Sequence, residues 1–262
     1  MTHRLANPAT RWIIGAAILA IGTALTEAAS EQPGPYKAVL TDSELASLIA
    51  ADAKVIGDTL AKGTPDKKGV AKIRAAALMV ATYAQGAGES QNGLRDVALK
   101  IGTAAREGKF DEVKKLVAEL KPGAASPGAK SGAVALHELF DLEELMQQFK
   151  PERGGGIELE KALQTAAKKR AALTPNEIKA IVPVLLRIAV IAQPCEAFAP
   201  AKVEGKKTRA QWNKWSQEMG TFALDAAKLA KAAKPDDKAL KAALNKVDAN
   251  CTACHNVFRE SN

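Results

Sequence analysis

The chain has 262 residues, enough for one large domain or two small ones, and a net charge of +8. Aromatic residues make up only 4% of it while alanine, leucine and lysine dominate, so the composition favours helices and excludes a sheet-rich fold. The lysines alternate with acidic residues, without a dense basic run or interleaved aromatics, which argues against nucleic-acid binding. We predict an all-α protein whose lysines cover solvated helix faces or dock an acidic partner surface.

The N-terminus has the pattern of an export signal. Arg4 and Arg11 precede an apolar run over 12–25, and small residues follow at 28–30. That run is shorter than the roughly 20 apolar residues of a membrane-spanning helix. We therefore predict a signal peptide over residues 1–30 and a periplasmic protein. If the segment is not cleaved, residues 12–25 would instead anchor the chain to the outer face of the cytoplasmic membrane.

Helical patterning begins at Thr41, which forms a capping box with Glu44. The spacing predicts helices at about 41–62, 67–86, 91–107 and 111–120, and so a helical domain over residues 36–120. Residues 121–132 are rich in proline, glycine, alanine and serine and lack any large apolar side chain. This composition predicts a linker between the first domain and a second one over residues 133–262.

The second domain has five predicted helices, at about 133–149, 157–171, 174–198, 208–233 and 236–260. Thr174 and Glu177 repeat the capping-box pattern, with Pro175 in the first helical position, where its missing N–H has no cost. Cys195 lies at the end of an apolar helix, where a small buried thiol is the expected role. Pairing with another chain and contact with a cofactor pocket are the alternatives.

The last predicted helix ends in Cys251-Thr-Ala-Cys254-His255, the C-x-x-C-H signature of c-type haem attachment. On a helix, Cys251 and Cys254 lie one turn apart on the same side, so both thiols reach the two vinyl groups of one porphyrin edge. His255 follows four residues after Cys251 and points its imidazole under the iron. The pattern predicts one covalent haem c, with His255 as the proximal ligand.

Two other interpretations of a C-x-x-C pair are a zinc half-site and a dithiol redox pair. A structural zinc site needs four ligands, and the remaining candidates of that kind are Cys195 and His137. A thioredoxin-like pair belongs to a βαβ pattern, which this helical sequence lacks. An apolar stripe supports the haem interpretation, since it leads along the helix to the motif through Leu240, Leu244, Val247, Cys251, His255 and Phe258.

The C-terminal half resembles the class II c-type cytochromes, the group of cytochrome c′ and cytochrome c556. The resemblance is carried by the motif with Phe258 and Arg259 just after it, and by Trp212 and Trp215 at the start of the preceding alanine-rich helix. It implies a four-helix bundle with Cys251 and Cys254 as attachment sites and His255 as iron ligand. By the same resemblance, Arg259 lies near the haem and Trp212 packs in the core or against the haem edge.

A faint repeat links the two halves, because the pattern at 98–116 resembles that at 223–240. Residues 36–120 are therefore a candidate degenerate, haem-less copy of the cytochrome domain. One departure from the family is Pro151-Glu-Arg-Gly-Gly-Gly156 and the helix after it, which look like an addition to the bundle.

The sixth iron ligand decides between two functions. In low-spin members of the family a methionine on the first helix supplies it, and the resemblance places Met146 in about that position. His137 is the rival; on a continuous helix, nine residues turn the two side chains to opposite faces. His/Met ligation suits single-electron transfer, whereas an open site suits binding of nitric oxide or carbon monoxide. We expect an electron carrier rather than an enzyme, with redox proteins and a second copy of the chain as candidate partners.

Overall fold

The computed structural model describes residues 39–122, 131–201 and 205–258, and their regular secondary structure is helical, as predicted. Ten α-helices follow one another in this part of the chain: α1 (Asp42–Ala61), α2 (Lys67–Ala87), α3 (Asn92–Arg106), α4 (Phe110–Val117), α5 (Leu136–Leu139), α6 (Leu142–Met146), α7 (Leu159–Lys168), α8 (Pro175–Cys195), α9 (Arg209–Ala230) and α10 (Asp237–Phe258). The predicted signal peptide and Arg259 lie outside the described residues.

Two helix starts follow the predicted capping chemistry. The Thr41 hydroxyl accepts a hydrogen bond from the Glu44 backbone N–H, and the Glu44 carboxylate accepts one from the Thr41 N–H. Thr174 and Glu177 make the same reciprocal pair at the start of α8. Each pair satisfies donors that a helix N-terminus otherwise leaves without a partner.

The single helix predicted over 133–149 is wrong. The structure has two short helices there, α5 and α6, followed by a 3-10 turn over Gln147–Phe149. Phe140 breaks the helix by adopting an extended conformation, and its buried ring occupies the space that Gly102 leaves on α3. Asp141 then caps α6 through a third capping box with Glu144.

The glycines at 154–156 close the connection between α6 and α7. Gly155 has a left-handed φ of 82°, and a Cβ on Gly156 would lie 2.0 Å from the Lys150 carbonyl oxygen. Only glycine permits this combination of turn and close approach. The loop thus folds tightly against itself and delivers the chain to the start of α7.

Helix α2 lies at the centre of the described residues. Every residue from Ile73 to Gln85 is buried, since α1, α3, α6 and α8 all pack against this helix. Helices α8, α9 and α10 follow as neighbours, and α7 packs on α8 and α10. The described residues belong to one compact unit with a continuous apolar core. The division of the chain at 121–132 stays a prediction, because most of that segment lies outside the described residues.

A buried polar network joins α8 to α1 and α2. The Arg187 guanidinium donates from Nη1 to both Asp52 carboxylate oxygens, at 2.8 and 2.9 Å, and to the Tyr83 hydroxyl at 2.9 Å. Asp52 is fully buried, and Arg187 and Tyr83 nearly so. Burial raises the pKa of Tyr83 well above its ordinary value, which keeps the phenol neutral. The N-terminal helices are therefore held on α8 by one specific set of partners.

Helix α8 together with the 3-10 turn that follows it, Pro175–Phe198, is the one described helix long and apolar enough to cross a membrane. Yet 61% of its most apolar window is buried against the rest of the protein, as expected of a core helix.

Candidate haem site

Helix α10 positions the predicted attachment motif. Leu240, Leu244 and Val247 are buried and face the core, as the apolar stripe predicts. Beyond Val247 the same face leaves the core, so Cys251 and Cys254 are half-buried and His255 is exposed. The motif thus lies on an uninterrupted helix at the point where the core ends. Two thiols one turn apart and the following imidazole match what attachment of a single porphyrin edge requires.

The environment of the two thiols argues against dithiol redox chemistry. Burial raises the pKa of Cys251 to about 12, helped by the charge of Asp248, and burial raises the pKa of Cys254 to about 11. Reactive dithiol pairs instead have a depressed thiol pKa, because the thiolate is the nucleophile. The raised pKa values favour the neutral thiol over the thiolate at both positions.

Among the described residues, no group of three or more His, Cys, Asp or Glu side chains is placed to hold a metal ion. A haem iron needs fewer protein ligands, since the porphyrin supplies four nitrogens and the chain supplies only the axial ligands. The donor set of the motif therefore fits a haem.

Aromatic side chains join three helix ends at this site. The Trp212 indole Nε1 donates to the Cys195 carbonyl oxygen at 2.6 Å, and its ring meets the Phe258 ring edge-on with centroids 4.9 Å apart. Trp215 meets the same Phe258 ring at 5.7 Å. The Asn250 side-chain amide donates to the Trp215 carbonyl oxygen at 2.9 Å. The end of α8, the start of α9 and the end of α10 therefore form one connected wall beside the motif.

Cys195 is the buried thiol that the sequence predicted, with 2% of its surface exposed. Burial raises its pKa far above the ordinary value, and charge on Cys254 or Cys251 would raise it further. The hydrogen bond from Trp212 to the Cys195 carbonyl and the contact of Trp212 with Phe258 place the end of α8 beside the last turn of α10. A contact of Cys195 with the cofactor pocket was one of the alternatives open from the sequence, and this position is compatible with it.

The structure places Met146 and His137 on separate helices. Met146 ends α6, whose neighbour is α2, and Glu144 two residues earlier pairs with Arg74 of α2. His137 lies on α5, with its ring edge-on to Phe198 at 6.3 Å. The opposite orientation expected for the two side chains requires one continuous helix, and the break at Phe140 rules that helix out. The assignment of Met146 as a ligand stays a prediction.

Comparison with known proteins agrees with the site. Residues 158–259 match the model of the family described as Cytochrome C'. No curated protein and no solved structure matches the chain. The match confirms the predicted resemblance of the C-terminal half to class II cytochromes, and haem is the cofactor that this family implies. The match covers 102 of the 262 residues, and it marks this C-terminal part of the chain as similar to a haem-binding cytochrome domain.

The limits of the match correct one detail of the sequence analysis. The matched segment begins one residue before α7, so α7, α8, α9 and α10 are its helices. The helix after the glycine loop is thus the first helix of the matched segment and not an addition. Residues 133–149, which the prediction placed in the same domain, precede the match.

Proposed function

We propose that the chain is an exported single-electron carrier with one haem c, bound through Cys251 and Cys254 and ligated by His255. One observation supports this most strongly: the complete motif lies on the last helix of the family-matched segment, where that helix emerges from the core. A haem attached there has an edge near the surface, which suits electron exchange with a partner protein.

The bound haem would supply the one-electron chemistry, and the chain would bind and orient it. Cys251 and Cys254 would each form a thioether, with the thiol proton transferred to the vinyl carbon. Trp212, Trp215 and Phe258 would support that side of the site, because their rings already pack together there. The chain would act without converting a substrate.

Charge beside the motif supports a partner with an acidic surface. The first turn of α9 contains no acidic residue. Three cations lie at or just before it: Lys206, Lys207 and Arg209. In the described part of the chain, no carboxylate forms a salt bridge with them. Cations at a helix N-terminus are unfavourable with respect to the helix dipole. An approaching negative surface would offset that cost and speed encounter.

Replacement of both Cys251 and Cys254 by serine tests the proposal. The double variant is expected to lose all haem that survives denaturation and acid extraction, because no thioether can form. Mass spectrometry of the wild-type protein should show one haem per chain and, if the chain is exported as proposed, loss of about 30 N-terminal residues.

Cys195→Ser is the matched control, since it removes a neighbouring buried thiol that lies outside the motif. This variant should keep its covalent haem. Acid-stable haem in the double variant, or its loss in the control alone, would contradict the proposed attachment.

Gas binding is the second candidate function, and the position of Met146 is what favours it. Its helix packs on α2 rather than in the family-matched segment, so a distal site without methionine is compatible with the structure. An iron without a strong sixth ligand would bind nitric oxide or carbon monoxide. The spin state of the reduced haem separates the two functions.

A further inference from the structure

His137 lies at the same end of the molecule as the attachment motif. We infer that His137, carried by the segment outside the family match, would be a second histidine ligand of the bound haem iron, in addition to His255. This inference rests on the proposed haem at Cys251 and Cys254. It deepens the proposed function, since a bis-histidine iron favours electron transfer over gas binding.

His255 lies near the end of the bundle at which α8 ends. Phe258 lies three residues beyond His255 and packs on Trp212, and Trp212 bonds to the carbonyl of Cys195. The last turn of α10 is therefore level with the last turn of α8. Phe198, three residues past Cys195, extends α8 in a 3-10 turn at that level.

His137, on α5, lies at the same level as Phe198. Its ring contacts Phe198 edge-on at 6.3 Å, and the side chain is half-buried. In the described residues the other histidine is His255 itself. The two imidazoles thus belong to elements that meet at one end of the molecule, on different helices.

The segment that carries His137 is firmly held. The Gln85 side chain donates to the Val134 carbonyl oxygen at 3.0 Å and accepts from the Val134 N–H at 2.8 Å. The Arg95 guanidinium donates to the Gly132 carbonyl oxygen at 2.6 Å, and Leu136 is buried. A ligand on such a segment needs little ordering when the haem binds.

Met146 lies further along the same segment, where the chain packs on the first half of α2. The carboxylate of Glu144, two residues before it, binds Arg74 through two hydrogen bonds, one of them 2.8 Å. Arg74 and Gln85 are 11 residues apart on α2, which separates them by about 16 Å along the helix axis. From Val134 to Glu144 the chain therefore advances by about half the length of α2, so His137 and Met146 lie at different levels along that helix.

Spectra of the full-length holoprotein test the assignment. The wild type should be low-spin in both oxidation states and lack the charge-transfer band of a methionine–iron bond. His137→Ala should become high-spin and bind carbon monoxide at least tenfold faster, and added imidazole should restore the low-spin spectrum. Met146→Leu, the matched control, should leave spectrum and carbon monoxide binding unchanged.

Each other result overturns the inference. A wild-type protein that is already high-spin, or a His137→Ala variant that stays low-spin, removes His137 as ligand, and a spin change in Met146→Leu transfers the role to Met146. If His137→Ala does not fold, nitrogen hyperfine spectra of the wild type with isotope-labelled histidine decide, since two bound imidazoles are required. Absence of covalent haem in the wild type would instead refute the proposed function itself.

Discussion

The N-terminal helices α1–α6 and the bundle α7–α10 differ in how many charged side chains they bury. Asp52, Arg74 and Arg95 are buried charged residues of the first region. Among the described residues of the bundle, Arg187 is the buried charged residue, and its partners belong to α1 and α2. Both regions supply apolar side chains to the core, but the region without a family match also buries several charges of its own.

The difference teaches how the additional region is attached. Apolar packing between helices tolerates small changes of position, while a buried charge needs one particular partner at hydrogen-bond distance. We interpret the Arg187–Asp52–Tyr83 network as the contact that fixes the N-terminal helices in one position on α8. The His137 segment is carried by the same helices, so its position depends on this contact.

Replacing Arg187 by methionine tests the junction and should have the largest effect. It leaves Asp52 buried without its cation, so we expect unfolding free energy to fall by about 3–5 kcal/mol in urea denaturation. Adding Asp52→Leu should recover part of that loss, because the unpaired charge is then gone. The exposed pair Lys54–Asp58 is the control, and Lys54→Met should change stability by no more than about 0.5 kcal/mol. A similar small effect at Arg187 would refute the interpretation.

Replacing Gly102 by valine tests the packing of Phe140 within the N-terminal region, and a smaller loss of stability is expected than at Arg187. A Cβ there would lie 3.0 Å from Phe140 Cζ, so Gly102→Val should cost about 1–3 kcal/mol by displacing that ring. Gly57 on α1 is the matched control, since nothing lies within 4 Å of its Cβ position. Gly57→Val should be nearly neutral in the same denaturation experiment, and equal effects at the two sites would contradict the assigned contact.

Replacing Glu177 by glutamine tests an exposed capping interaction of the bundle, and this change should have the smallest effect on stability. Its hydrogen bonds from Lys169 and Thr174 lower its pKa to about 2, below the ordinary 4.5. A lowered folded-state pKa gives stability that is present above pH 4.5 and lost as the pH falls towards 2. Thermal melts of Glu177→Gln should therefore show a shallower decline between pH 5 and pH 2 than the wild type. Glu119→Gln, on an exposed residue, should keep the wild-type slope.

Local sequence signals predicted much of the fold. The spacing gave the eight longer helices to within a few residues, and the cap at Thr174 was correct, because periodicity and capping act within one or two turns. The break at Phe140 was missed although Asp141 and Glu144 form a third capping pattern. Extended backbone at Phe140 depends on space beside Gly102, nearly 40 residues earlier, which no local pattern reveals.

The candidate site divides in the same way. Cys251, Cys254 and His255 were predictable because their chemistry is written in five consecutive residues. The contacts of Cys195 and His137 with that end of the molecule were not, since each depends on which helix ends meet in three dimensions. Arg187 likewise gave no sign in the sequence of its partner 135 residues away.

The packing of Phe258 between Trp212 and Trp215 has an optical consequence. The sequence contains three tryptophans, and the third, Trp12, lies in the predicted signal peptide. Indole emission from the processed protein would therefore come only from the wall beside the attachment cysteines. A porphyrin held there would quench both emitters by energy transfer, so the unlabelled protein would be dark when loaded and bright when empty. Opening of this end could then be followed separately from unfolding of the helices, which circular dichroism reports.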